Sequence, residues 1–110
     1  MTATFPKCER IRKRTEYLSV QGRGRKLHSD SFLIFALAAP TTRFGITVSK
    51  KVGNAVSRNR VKRLVREVVR RHKAWFPTAM ELVFVAKQRA AALDLQTAER
   101  EIERLCARYF

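Results

Sequence analysis

Residues 50–72 read KKVGNAVSRNRVKRLVREVVRRH, and both the fold and the chemistry turn on them. Gly53-Asn54 breaks an apolar alternation, and Asn54 is suited to cap a helix, so the spacing predicts a helix from there to about His72. At 100° per residue, Val61, Leu64, Val65, Val68, Val69 and His72 share an arc of roughly 140°. Asn59, Arg60, Lys62, Arg63, Arg66, Glu67, Arg70 and Arg71 fill the other side. One face is therefore built for a core. The other carries cations at 58, 62 and 66 and again at 60 and 63, so that several phosphates can be met from one rigid rod without ordering a loop. Asn54 and Asn59 can add hydrogen bonds to sugar or base edges, and the turn amides around Gly53 can approach a phosphate.

The charge around this helix is concentrated. Of the net +15, residues 50–73 supply ten basic groups against Glu67 alone, and residues 1–26 supply eight basic against two acidic. Residues 27–49 and 74–110 are each neutral. A solubilising surface intersperses signs, whereas two cationic blocks attract a polyanion and release its counterions. Nucleic acid is the leading partner. An anionic membrane is the competing one, but it needs a free apolar face, and the core claims this one.

Upstream of residue 50, Phe44, Ile46 and Val48 alternate with Gly45, Thr47 and Ser49, a strand with one buried face. Ser31–Ala38 is a continuous apolar run of strand length, and the turn at Pro40-Thr41-Thr42 predicts that these two strands form a hairpin. Alternation places Leu33 and Phe35 on one face and Phe32 and Ile34 on the other. Residues 25–28 suit a short edge strand, and Arg10–Gln21 a basic helix with Tyr17, Leu18 and Val20 as its apolar residues, ended by Gly22 and Gly24. Downstream, Glu81–Lys87 reads as a buried strand. Asp94 caps a last helix in which Leu95, Ala98, Ile102, Leu105, Cys106 and Tyr109 recur at helical spacing. The expected order is α-β-β-β-α-β-α: one α+β domain over residues 1–110, an α/β sandwich with a mostly antiparallel four-stranded sheet. At 110 residues and 45% hydrophobic, one core needs no staples.

Cys8 and Cys106 lie far apart without a CxxC or a nearby His, which argues against zinc and redox motifs and for free thiols. No His pair, acidic cluster or Ser-His-Asp spacing supports hydrolytic chemistry by the protein itself. His72 reads as a helix-end packing residue and His28 as a surface strand residue. The N-terminus lacks the apolar run of a signal peptide, so a soluble, cytoplasmic protein is expected.

The run Lys50–Glu67, with Arg58-Asn59-Arg60 at its heart, closely resembles the motif of the bacterial ribonuclease P protein family. The flanks fit as well: the basic first helix, Phe-Leu-Ile-Phe, Phe-Gly-Ile-Thr-Val-Ser before the two lysines, and Leu-Val-Phe-Val-Ala. The resemblance implies a subunit of a bacterial endoribonuclease for precursor tRNA. In it the RNA cuts with magnesium, and the protein binds no metal, membrane or small-molecule substrate and is not catalytic alone. It also implies a left-handed strand-helix-strand crossover, against the usual rule. By position, the catalytic RNA would meet Arg58, Asn59, Arg60, Lys62, Arg63, Arg66 and Arg70, with Lys50, Lys51 and Asn54 beside them. The 5′ leader would lie in a cleft at Tyr17, Gln21, Leu33 and Phe35, where aromatic faces stack on bases. Gln21 stands where many relatives place another aromatic. The alternative is a general RNA- or DNA-binding basic protein. A major-groove DNA reader has the right charge but would want a helix-turn-helix pairing and a dimer interface, neither of which the sequence offers.

Overall fold

The computed structural model describes residues 10, 11 and 13–110; Cys8 lies outside them. The elements are α1 (Arg14–Arg23), β1 (Arg25–His28), β2 (Phe32–Ala38), β3 (Arg43–Val48), α2 (Ala55–Arg71), β4 (Met80–Ala86) and α3 (Leu95–Tyr109), in the expected order. No helix among the described residues is long and apolar enough to cross a membrane.

The expected hairpin between β2 and β3 is not formed. The sheet order is β1-β2-β4-β3: β4 lies between the two, antiparallel to β2 and parallel to β3, while the hairpin joins β1 to β2. The reason lies in which strands have two apolar faces. Leu82, Val83 and Phe84 of β4 are all fully buried, so β4 needs cover on both sides and takes a central position. β3 buries chiefly its Phe44 side and serves as an edge. The two parallel strands are joined through α2, a crossover that a short turn could not make.

α2 and α3 cover one face of the sheet, where Val61, Val65, Val68, Val69, Ala98 and Ile102 pack on Phe32, Ile34, Phe44, Leu82 and Phe84. The rings of Phe44, Phe76 and Phe84 meet edge to face, with centroids 5.3 and 5.8 Å apart. Both predicted caps form: Asn54 Oδ1 accepts the Ser57 N–H at 2.9 Å, and Asp94 Oδ1 the Thr97 N–H at 2.8 Å. The Thr97 amide holds the Asp94 carboxyl below the usual range. At the end of α2, His72 stacks on Trp75 and its Nε2 lies 2.7 Å from Glu99 of α3, a packing role.

Among the described residues the other face is covered by α1, through Val20 over Phe35 and Val83, and by Ile11 ahead of it. The helix begins later than predicted because Ile11 is extended, its N–H donating to the Phe44 carbonyl at 2.8 Å beside an Arg10–Phe44 bridge. Arg43 then ties Glu16 of α1 to Glu81 of β4, with 2.6 Å to Glu16. Glu16 first, then Glu81, raises the Arg43 pKa.

Candidate nucleic-acid interface

All the cations of α2 except Arg63 fall into three groups by where they lie and what they touch. Arg58, Lys62 and Arg66 recur every fourth residue on the flank toward the outer edge of β3, where Arg66 shares a small cavity with Arg10, Tyr17 and Ile46. Lys62, Arg63 and Arg66 make no ion pair among the described residues. Arg60 occupies the opposite flank, and its guanidinium donates to the Leu93 carbonyl at 2.6 Å and the Ala91 carbonyl at 3.4 Å, clamping the segment before α3. Arg70 and Arg71 are bound to Glu67, whose carboxyl they pull down to about 2, Arg70 the more strongly.

Other predicted contacts carry local duties too. Lys50 and Lys51 stand exposed in a single 3₁₀ turn, Lys50–Val52. Asn54 spends its oxygen on the helix cap, leaving its amide N–H groups for a ligand. Asn59 is exposed on the solvent side of α2, and the Arg58 Nε is enclosed without an acceptor among the described residues.

Between α1 and β3 lies a cavity whose lining includes part of the residue set expected for a cleft. It has a volume of about 470 Å³ and is bounded by Arg14, Tyr17, Leu18 and Gln21 of α1 and by Ile46 and Thr47 of β3. Tyr17 is placed by two features of β3: its hydroxyl accepts the Ile46 N–H at 3.2 Å, and its ring lies over Gly45, where a Cβ would stand 2.6 Å from Cε1. Tyr17 and Gln21 are therefore in the cleft, whereas Phe35 is not. Register aligns Phe35 with Val83 and Gly45, the row that α1 crosses, and Phe35 is buried as core beneath Val20. Leu33 lies one row along, level with Val85 and Thr47, half-buried and not among the residues that line the cavity. Arg14, Leu18, Ile46 and Thr47 were missed. Thr47 had a signal, since it lies on the polar side of an alternating strand; a second helix-covered face would have made that side a wall.

The two sites are one continuous surface, since Tyr17 and Ile46 border both the cleft and the cavity that holds Arg66. No group of three or more His, Cys, Asp or Glu that could hold a metal occurs among the described residues.

Fold and site together define a basic nucleic-acid-binding α/β sandwich, with a cationic helix beside a partly aromatic cleft. A family model described as Ribonuclease P matches residues 5–109. The ribonuclease P protein component of Desulfovibrio desulfuricans is 45% identical over 104 residues, covering 89% of this chain and 80% of its own length. That of Geobacter sp. is 45% identical over 103 residues, covering 92% and 88%. Among solved structures, the RNase P protein of Thermotoga maritima superposes with a TM-score of 0.82 at 29% identity, over 93% of this chain and 98% of that one. The Staphylococcus aureus protein gives 0.81 at 28% identity, over 90% and 93%. The chain belongs to the ribonuclease P protein family. Its role is that of the protein subunit of this tRNA-processing endoribonuclease.

Proposed function

We propose that α2 docks on the catalytic RNA of ribonuclease P while the α1–β3 cleft holds the single-stranded 5′ leader of precursor tRNA. The observation that carries this reading is the continuity of cleft and basic flank through Tyr17 and Ile46. A strand leaving a duplex docked on Lys62 and Arg66 would pass directly into the cleft. Tyr17 there offers part of a ring for stacking, in a sequence-tolerant way because every base has a π-face. Gln21 offers an amide in place of a second ring, so a polar contact replaces stacking at that end. Arg14 and Arg66 meet the phosphates.

Cleavage itself belongs to the RNA, with magnesium held by RNA and substrate. Protein cations displace condensed counterions from both RNAs and lower the repulsion between them, so less magnesium is required. The work would take place in the bacterial cytoplasm. The test is cleavage of a precursor tRNA by a bacterial ribonuclease P RNA at low magnesium, with and without the protein, beside a protein-only control. Cleavage at the mature 5′ end only when both are present is the expected result. No effect of the protein would leave a general nucleic-acid-binding role, and cleavage by protein alone would reveal an active site within the chain.

A further inference from the structure

We propose that three arginines of α3 form a second phosphate-binding groove, at the β1 edge of the sheet, and that it takes a strand of the same catalytic RNA. Arg100, Arg104 and Arg108 recur every fourth residue on α3, so each lies about 6 Å along the axis from the next. That step is comparable to the spacing of successive phosphates on a nucleic-acid strand. All three line one cavity of about 450 Å³, whose opposite wall is the end of β1 and the β1–β2 turn, from His28 to Asp30.

Residues 74–110 are neutral in sum, so nothing in the linear charge pattern marks this site. Folding separates the signs. Glu99 is turned to α2, where it meets His72 and Arg71. Glu101 borders the groove, but its Oε2 accepts the Ser31 N–H at 2.8 Å and the Ser29 hydroxyl, which ties its charge into the turn. Asp30 is exposed and faces Arg89 at 3.8 Å. Glu103 falls about 100° around the helix from Arg104 and about 60° from Arg100, with no ion pair to either among the described residues. Asp94 lies within electrostatic reach of Arg100. None of the three arginines has an ion pair among the described residues; Arg108 rests against the Tyr109 ring, which Arg25 also approaches at 5.3 Å.

An unpaired guanidinium is suited to a phosphate, which it can grip with two parallel hydrogen bonds. Three guanidinium groups converge on this groove, so an anionic partner fits it better than an apolar one. The catalytic RNA is favoured over the leader because α3 shares the sheet face of α2, while the cleft assigned to the leader opens on the α1 side. On that face α2 lies toward β3 and α3 toward β1, side by side, so an RNA that spans the helical layer meets both. The inference rests on the reading that α2 binds this RNA.

The test is binding of the full chain to ribonuclease P RNA, without precursor tRNA, across a range of salt. The variants are Arg100→Gln/Arg104→Gln/Arg108→Gln, the same triple to Lys, and Arg66→Gln in parallel. The Gln triple should bind about tenfold or more weakly, and its plot of log affinity against log salt should be shallower by about two to three units, one for each lost phosphate contact. The Lys triple should keep most of the slope, and both triples should melt like the parent. An unchanged slope in the folded Gln triple overturns the inference, as does equal loss in both triples with a lowered Tm. An effect seen only once precursor tRNA is added also overturns it. If Arg66→Gln weakens binding and the Gln triple does not, only this inference fails; if neither does, the α2 reading fails as well.

Discussion

The Tyr17 hydroxyl accepts the Ile46 N–H at 3.2 Å on the outer edge of β3, while the Tyr17 ring occupies the space that a side chain at residue 45 would fill. One side chain thus closes part of an open sheet edge and shapes the cleft. Gly45→Ala puts a methyl within 2.6 Å of the ring and must push it outward. We expect a loss of about 1–3 kcal/mol in stability from the overpacking, and weaker binding of leader-bearing precursor with mature tRNA binding unchanged. Tyr17→Phe keeps the ring and should cost only about 1 kcal/mol. Urea melts and paired binding assays read both.

Arg60 and Arg66 should separate stability from affinity. Arg60 holds the carbonyls of Ala91 and Leu93, so Arg60→Ala loosens the approach to α3 and should cost about 1 kcal/mol, discounted for exposure. Arg66 has no such anchor, so Arg66→Ala should leave the Tm in place and weaken RNA binding. Equal Tm changes in the two variants would contradict the clamp.

Glu67 supplies an acid-sensitive contact. Arg70 and then Arg71 hold its carboxyl at about 2, below the ordinary 4.5. Its folded value is depressed, so its contribution is complete above the ordinary value and fades as pH falls from about 4.5 toward 2. Between pH 6 and pH 3 the Tm of the parent should fall further than that of Glu67→Gln, and high salt should narrow the difference, because the pair is solvent-exposed.

Cys106 should be chemically quiet. Burial pushes its thiol up to about 12, and the thiolate is the reactive form. At pH 8 iodoacetamide should leave residue 106 unmodified in the native protein and alkylate it in urea, as peptide mass spectrometry would show. The same shift means that the neutral thiol's contribution is intact below about 9 and is lost as pH rises toward 12.

Much of this molecule was legible in the chain alone. Helix α2, its Asn54 cap, its valine stripe and its cations are local properties that periodicity of 3.6 and capping chemistry specify. The strands and the Asp94 cap are local in the same sense. The cleft residues on α1 were legible through Tyr17 and Gln21, but Phe35 was misplaced, because alternation tells which residues share a face and not which row a helix will cross.

The sequence by itself determined the order of elements, the faces they bury and the helix that carries the charge, since each depends on residues within a few turns of one another. Tertiary structure alone decided that β4 enters between β2 and β3, because pairing partners are chosen by competition for two-sided burial among strands far apart in the chain. It also decided which cations are free. Arg60 and the α3 arginines look alike in sequence, yet the Ala91 and Leu93 carbonyls brought close by folding occupy Arg60, while Arg104 is left without an ion pair among the described residues. Charge is written in the chain, but its pairing depends on distances that only the packed fold sets.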